Sequence, residues 1–205
     1  MKRGLLLVIS GPSGSGKDTL ISHLMEQMDG LCYSVSATTR PPRNQEREGI
    51  DYFFVTQEEF QKKIEKGAFL EWAQIYGDYY GTPKEYVDRK LEEGFDVILK
   101  IDVQGAKQIR DAGMGAVFVF IAPPSMEELR RRIQGRGTET AEAVEKRFRT
   151  ALREVREAVQ YDYIVVNDQI PEAVGQLRAV IWAEKSRVGP MWKALEELFR
   201  ETDGS

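Results

Sequence analysis

The sequence is poor in the residues that build cysteine and histidine sites. It has one cysteine, Cys32, and one histidine, His23, in 205 residues. A single cysteine cannot form an internal disulfide, and these two residues are too few for a typical zinc site. We expect His23 to be an ordinary helix residue, not part of a Ser-His-Asp triad. The cysteine usage also predicts a reducing, cytoplasmic compartment.

Long apolar runs and an excess of positive charge are also missing. No run approaches the roughly 18 apolar residues that a membrane span needs, so we expect no membrane association. Lys and Arg total 29 against 33 Asp and Glu, a net charge of −4. This balance argues against a nucleic-acid-binding protein, although local positive charge can still bind a small phosphorylated ligand. The chain is long enough for a core without disulfides.

Strand and helix patterns alternate along most of the chain. Four apolar runs predict buried parallel strands, at residues 5–10, 97–102, 116–121 and 163–166. Segments with helical spacing lie between and after them, at 17–28, 83–93, 104–111, 125–133, 141–159, 171–185 and 190–201. This alternation predicts an α/β fold with a parallel-sheet core.

Two regions interrupt the pattern. Residues 33–56 and a hairpin at 69–80 are rich in β-prone residues and flank a short helix at 56–66. Residues 130–156 hold nine Lys or Arg and four Asp or Glu, a local excess of positive charge. We therefore expect a single domain over 1–205. Its core covers about 1–34, 84–124 and 160–205, with an insertion at 35–83 and an arginine-rich segment at 125–159.

The first predicted strand runs into a glycine-rich turn and then a helix. The turn has the spacing of a phosphate loop, which is Gly, four residues, Gly, Lys. Glycines let the backbone N–H groups turn toward a phosphate chain, and the helix N-terminus and the lysine add positive charge. The loop predicts ATP binding by Gly11, Pro12, Ser13, Gly14, Ser15, Gly16, Lys17, Asp18 and Thr19.

The residue after the loop lysine departs from the usual motif. A Ser or Thr hydroxyl normally binds Mg²⁺ there, whereas this chain has Asp18 followed by Thr19. A carboxylate is also a hard oxygen ligand, so Asp18 is a candidate Mg²⁺ ligand through the ATP phosphates. The alternative is an acidic residue in the first helical turn, where the helix dipole favours it.

Several further segments, taken in order, resemble the guanylate kinase family. They lie at 34–43, 49–54, 71–73 with 79–82, 101–105, 135–140 and 165–168, and the resemblance covers about 5–185. It implies a P-loop kinase fold in which the insertion binds GMP and the arginine-rich segment is a lid. It further implies transfer of the γ-phosphate of ATP to GMP, giving GDP and ADP, with Mg²⁺ accompanying ATP.

The resemblance also assigns the GMP site. It implies GMP binding by Ser36, Arg40, Arg43, Tyr52, Glu71, Tyr80, Thr82 and Asp102. Arginine forks suit a phosphate dianion because they meet two oxygens at once. The carboxylate of Glu71 can accept both guanine donors, N1–H and N2–H₂, whereas adenine would place an acceptor against it.

Three basic residues are implied to act on the transferred phosphoryl group. These are Lys17, Arg132 and Arg147, while Arg136 and Asn167 are placed on the adenine side. Phosphoryl transfer depends mainly on positioning and charge neutralisation, so no general base is needed. Most of the other arginines of the segment are expected on a solvated helix face with i,i+4 partners, at positions 130, 131, 149, 153 and 156.

A second departure follows the strand predicted at 97–102. The family strand usually ends in acid, Ile, acid before Gln-Gly, but this sequence reads Lys100, Ile101, Asp102. Since Asp18 adds a negative charge where Lys100 adds a positive one, we expect the two to pair, directly or through the metal shell. Independent drift at a tolerant position is the alternative.

Two other functions remain open at this stage. One is a related kinase acting on another small phosphate, such as a ribose bisphosphate. The other is an inactive guanylate-kinase-like binding module, although such modules usually lose the loop lysine, which is present here as Lys17. The sequence leaves the oligomeric state undetermined.

Overall fold

The computed structural model describes residues 3–75, 77–135 and 141–189. The strands in chain order are β1 Leu6–Ser10, β2 Leu31–Tyr33, β3 Ala37–Thr38, β4 Phe53–Phe54, β5 Phe69–Ile75, β6 Asp78–Pro83, β7 Asp96–Lys100, β8 Val117–Ala122 and β9 Tyr163–Val166. The helices are α1 Lys17–Gln27, α2 Gln57–Glu65, α3 Lys84–Glu92, α4 Val103–Asp111, α5 Met126–Gln134, α6 Ala141–Arg156 and α7 Ile170–Lys185. A 3₁₀ turn, Glu157–Gln160, follows α6.

The core is a five-stranded parallel sheet in the order β2-β7-β1-β8-β9. Its central strand, β1, is buried along its whole length, as a strand covered on both faces requires. Apolar residues of α1 and α7 pack on one face, and those of α3 and α4 pack on the other. The predicted α/β fold with a parallel-sheet core is confirmed.

A second, smaller sheet has the order β4-β3-β6-β5. It lies in the predicted insertion, and β5 and β6 form the predicted hairpin. Thr56 and Glu59 form a reciprocal capping box that starts α2. Phe60 on that helix is fully buried and stacks on Phe69 and Tyr79, so the helix is fastened to the hairpin.

Helices α5 and α6 form the predicted arginine-rich segment. Leu129 and Ile133 of α5 bury against Ala151 of α6. Arg130 departs from the expected i,i+4 partner, because it crosses to Glu145 on α6 at 2.9 Å and lies over the ring of Phe148. The guanidinium group of Arg130 therefore helps to hold α5 and α6 together, through this ion pair and this ring contact.

The boundaries differ from the sequence predictions in several places. Four core strands were predicted and five are present, because the short strand β2 pairs in parallel with β7 at the edge of the core sheet. Strand β7 ends at Lys100, two residues earlier than predicted, and Asp102 instead caps α4. Helix α6 ends at Arg156 and not at residue 159. The helix predicted at 190–201 lies outside the described residues.

Candidate active site

The phosphate loop lies where β1 ends and α1 begins. Gly11, Gly14 and Gly16 have φ of +150°, +89° and +85°, a region that favours glycine. A Cβ on Gly11 would lie 2.3 Å from the carbonyl oxygen of Ile121, so the loop also needs glycine for space. The Ser15 Oγ is buried and has no hydrogen-bond partner among the described residues. The loop therefore has the wrapped shape that the motif predicts.

Lys17 is folded back onto the loop. Its Nζ donates to the carbonyl oxygens of Gly11, at 2.5 Å, and Pro12, at 3.2 Å. Burial lowers the pKa of Lys17, while the nearby carboxylates of Glu154 and Asp18 oppose that shift. In the ligand-free protein, these two carbonyl oxygens thus take the place of water around the ammonium group.

Asn167 ties the end of β9 to the phosphate loop. Its Nδ2 donates to the carbonyl oxygen of Ser15 at 2.7 Å, and the residue is buried. A Cβ on Gly16 would lie only 2.2 Å from that same Nδ2. The predicted adenine contact of Asn167 remains a prediction, since the structure uses its amide to hold the loop.

The predicted lid arginines reach the loop region from two helices. The Nη2 of Arg147, on α6, donates to Ser13 Oγ at 2.7 Å. Arg132, on α5, donates through Nε to Glu128 at 2.7 Å and through Nη2 to the carbonyl oxygen of Asn167 at 3.2 Å. Both guanidinium groups therefore lie beside the loop. Arg136 lies outside the described residues, and Thr19 is exposed in the first turn of α1.

Glu154 is a residue of this site that the sequence analysis did not identify. It lies on α6, seven residues after Arg147, and this spacing of two turns puts both on one helix face. Burial raises the pKa of Glu154, and neighbouring Lys17 and the Ser13 backbone N–H oppose the rise. Its Oε2 is buried with no hydrogen-bond partner among the described residues. An acidic group thus faces the phosphate loop from the lid segment.

A cavity between the two sheets brings together most of the predicted GMP residues. It is lined by Ser36, Tyr52, Glu71, Tyr80 and Asp102, and further by Tyr33, Asp51, Ala73, Ile75, Gly81, Lys100 and Ile101. Residues of both sheets contribute, so the cavity spans the junction between core and insertion. Tyr33 and Lys100 are lining residues that the GMP assignment did not include.

Glu71 is the buried acid of this cavity. Its Oε1 accepts a hydrogen bond of 2.6 Å from Thr82 Oγ1, and only 7% of the residue is exposed. Burial raises the pKa of Glu71 to about 7, although the Thr82 hydrogen bond opposes the rise. The carboxylate is therefore a buried acceptor that Thr82 holds in place.

Glu71 fits closely against the start of α4. A Cβ on Gly105 would lie 2.8 Å from Glu71 Oε2, so this helix position must be small. Asp102 caps the same helix, since its Oδ1 accepts from the backbone N–H groups of Gln104 and Gly105 at 3.0 and 2.8 Å. Gln108, one turn further on, exchanges two hydrogen bonds with the backbone of Trp72. The helix thus braces the strand that carries Glu71.

The two predicted phosphate arginines are placed differently. Arg40 lies 5.6 Å over the ring of Tyr52 and donates to both carboxylate oxygens of Glu46, at 2.9 and 3.0 Å. Arg43 is exposed, and its backbone N–H donates to Oε2 of Glu46 at 2.7 Å. Glu46 was not identified from the sequence. Its carboxylate joins the side chain of Arg40 to the backbone of Arg43.

Asp18 and Lys100 make the direct contact that was expected of them. The Nζ of Lys100 donates to Asp18 Oδ1 across 82 residues of sequence, and it lies 5.6 Å from the centre of the Tyr33 ring. The pair links the first turn of α1 to the end of β7. Two residues that both depart from the family pattern are thus one structural unit.

The described residues contain no group of three His, Cys, Asp or Glu side chains that could hold a metal ion. Asp18 nevertheless presents a carboxylate beside the loop, and its Oδ1 is bonded to Lys100. Such a site fits a Mg²⁺ ion carried mainly by nucleotide phosphates, because Mg²⁺ commonly takes only one or two protein carboxylates. None of the helices in the described parts of the chain is long and apolar enough to span a membrane.

A glycine-rich phosphate loop between a central parallel strand and its helix defines a P-loop nucleotide-binding protein. The sequence profile described as guanylate kinase matches residues 3–184. The chain therefore belongs to the guanylate kinase family, a family of kinases, and the resemblance drawn from the sequence is confirmed.

Individual relatives agree with this assignment. A guanylate kinase from Caldanaerobacter subterraneus subsp. tengcongensis is 54% identical over 187 residues, which cover 91% of each chain. One from Clostridioides difficile is 47% identical over 98% of each chain. The crystal structure of guanylate kinase from Anaplasma phagocytophilum matches with a TM-score of 0.75 and 33% identity, covering 97% of each chain.

Proposed function

We propose that this protein transfers the γ-phosphoryl group of ATP to GMP, giving ADP and GDP, and so returns GMP to the guanine nucleotide pool in the cytoplasm. One observation carries the choice of GMP. The buried carboxylate of Glu71, fixed by Thr82, lines a cavity to which both sheets contribute residues. A carboxylate accepts from the two adjacent donors of guanine and repels the ring acceptor of adenine.

The phosphates of ATP are proposed to lie in the loop of residues 11–17. The backbone N–H groups and the N-terminus of α1 face the phosphates, and Lys17 exchanges its carbonyl partners for phosphate oxygens. Arg147 and Arg132 stand on the lid side, where negative charge develops during transfer. Arg136 and Asn167 are proposed for the adenine side.

GMP is proposed to span the cavity next to the loop. Guanine lies against Glu71, with Ser36, Thr82 and Asp102 around it, and the phosphate lies near Tyr52 and Tyr80. Arg40, which already holds a carboxylate through its fork, and Arg43 bind that phosphate. An oxygen of the GMP phosphate then attacks the γ-phosphorus, and the bond to the β-phosphate oxygen of ADP breaks.

Mg²⁺ is proposed to travel with ATP. It neutralises phosphate charge when bound, and Asp18 is the candidate protein ligand through its second carboxylate oxygen. We further propose that the sheet-rich insertion, about 35–83, and the lid, about 125–159, act as separate parts around the core. Their approach would exclude water, so that ATP is not hydrolysed without transfer.

The test is ADP formation from ATP and Mg²⁺ with GMP, AMP, UMP, CMP and ribose phosphates offered separately. We expect turnover with GMP and at most traces with the others. Lys17→Ala should abolish turnover while leaving GMP binding close to that of the unchanged protein. Turnover with ribose phosphates but not GMP would indicate the related kinase, and binding of GMP without turnover would indicate a binding module.

A further inference from the structure

Lys100 occupies the place in the sheet where a ligand-binding residue is expected. It is the last residue of β7 and is paired in register with Ile9, in the strand that runs into the phosphate loop. Ligands of open parallel sheets bind outside the carboxyl ends of the strands. The proposed reaction has so far given Lys100 no part.

The ammonium of Lys100 is held by two neighbours. Asp18 accepts its hydrogen bond, and the Tyr33 ring lies beneath it at 5.6 Å. The Lys100 side chain is 34% exposed and that of Asp18 is 73% exposed, so the ammonium is accessible to a ligand.

Lys100 also lies on the boundary between two cavities. One is the Glu71 cavity, and the other is lined by Asp18, Ile21 and Met25 of α1. The two cavities share Lys100, Tyr33, Tyr52 and Asp51 as lining residues. Tyr52, near which the GMP phosphate is proposed to lie, is thus a neighbour of Lys100 in the lining of both cavities.

A second cation besides Lys17 can bind a phosphate at this boundary. Lys17 is bonded to carbonyl oxygens within the loop and serves the ATP side. The pair of Asp18 and Lys100 is neutral as a unit. The flexible side chain of Lys100 lets its ammonium group move a short distance. A phosphate dianion carries more charge than one exposed carboxylate, so it can take the ammonium from Asp18.

We propose that Lys100 binds the phosphate of the nucleoside monophosphate, and that Asp18 is the positioning residue that holds the ammonium at the cavity boundary until the substrate arrives. The inference rests on the proposed function. It adds a residue that distinguishes a nucleotide from its nucleoside, and it makes both departures from the family pattern part of substrate binding.

The test is the affinity of the ligand-free protein for GMP and for guanosine, measured by isothermal titration calorimetry. The variants are Lys100→Gln and the double variant Asp18→Asn with Lys100→Gln. Lys107→Gln is the matched control, because Lys107 makes an equally close pair with Asp111 on the exposed surface of α4. Its affinity for both ligands should equal that of the unchanged protein.

We expect Lys100→Gln to weaken GMP binding by roughly tenfold or more, the size of a hydrogen bond to a charged group. Guanosine binding should not change. The double variant should bind GMP as weakly as Lys100→Gln alone, because the lost cation is the cause. Lys100→Arg should recover most of the affinity.

Three results would overturn the proposal. Lys100→Gln could leave GMP binding unchanged, or it could weaken guanosine equally. The double variant could also regain full GMP affinity, which would mean that Lys100 merely neutralises Asp18. Failure of the proposed function is seen separately, because the unchanged protein would then form no ADP from ATP and GMP.

Discussion

The hydroxyl of Thr82 and the carboxylate of Glu71 face each other at 2.6 Å across the β5–β6 hairpin. Strand β6 therefore aims the acid that β5 carries. Because the hydroxyl occupies Oε1, the orientation of the carboxylate is set before a base enters.

GMP binding should depend on the protonation of Glu71. Its pKa of about 7 lies above the ordinary value, so the carboxyl loses its charge as pH falls through 7 and can no longer accept two donors. GMP affinity should then fall by up to about tenfold per pH unit below 7. Calorimetric titrations from acid to mildly basic pH measure this directly.

The phosphate of GMP also titrates, with a second pKa near 6. Glu71→Gln keeps that titration and removes the carboxyl, so it is the matched control. The difference between the two pH profiles isolates Glu71. Parallel profiles would show that this acid does not contact the base.

The space at Gly105 should matter for GMP and not for ATP. Gly105→Ala would put a methyl group 2.8 Å from Glu71 Oε2 and displace the carboxylate. Because small misplacements of a positioned group can cost about 10²-fold, we expect KM for GMP to rise at least tenfold while KM for ATP stays the same.

Gly175→Ala is the control for that variant. Gly175 lies within α7, and no atom lies within 4 Å of its added Cβ. This change should leave both KM values alone and stabilise the protein by about 0.5–1 kcal/mol through helix propensity. Equal KM values for the two variants would contradict a steric role of Gly105.

Loss of the Asn167 amide should loosen the phosphate loop. Asn167→Ala removes the donor to the Ser15 carbonyl and leaves a buried acceptor unpaired. We expect a loss of about 1–3 kcal/mol in the free energy of unfolding, which is roughly 2–12 °C in Tm for a chain of this length. ATP affinity should fall, and GMP affinity should not.

Differential scanning calorimetry and titration with each nucleotide test the Asn167 prediction. Gln61→Ala, which removes an amide from the exposed face of α2, is the comparison and should leave the loop intact. A fall in both affinities would point to general loss of structure instead of loosening of the loop.

Removing the charge of Glu154 should strengthen ATP binding by the ligand-free protein. This carboxylate lies beside Lys17 and the Ser13 N–H, where it stands in for phosphate and repels the incoming nucleotide. For Glu154→Gln we expect about fivefold tighter ATP binding, the equivalent of roughly 1 kcal/mol between nearby charges in a high dielectric.

Glu157→Gln changes an exposed acid just after α6 and should leave ATP affinity as it was. Weaker ATP binding in Glu154→Gln would mean that the acid instead holds Lys17 in its productive position. Fluorescence titration with a nucleotide analogue that is not hydrolysed distinguishes the two results.

The parts of this protein that follow local rules could be predicted from the sequence. The phosphate loop is such a part, because glycine spacing, strand and helix are consecutive, and glycines occupy its positions of positive φ. The apolar run of β1 also predicts burial without reference to any partner. The capped start of α2 at Thr56 follows from residues three apart.

Features that depend on contacts between residues far apart in the sequence could be predicted only in part. The pairing of Lys100 with Asp18 was expected from their opposite charges, but the part played by Tyr33 was not. Strand β2 is three residues long and carries no periodic signal, so its place at the sheet edge comes from pairing with β7. Glu154 had one signal, its spacing of seven from Arg147, which becomes informative only when the helix is known to face the loop.

The hydrogen bond between Asn167 and the phosphate loop affects when a growing chain can acquire its complete phosphate loop. The loop is synthesised before β9, but its shape is completed by a side chain 152 residues later in the sequence. The central strand β1 likewise pairs with β7 and β8, and both of these strands are synthesised later than β1. During synthesis, the nascent chain therefore completes its phosphate loop only after β9 has been made.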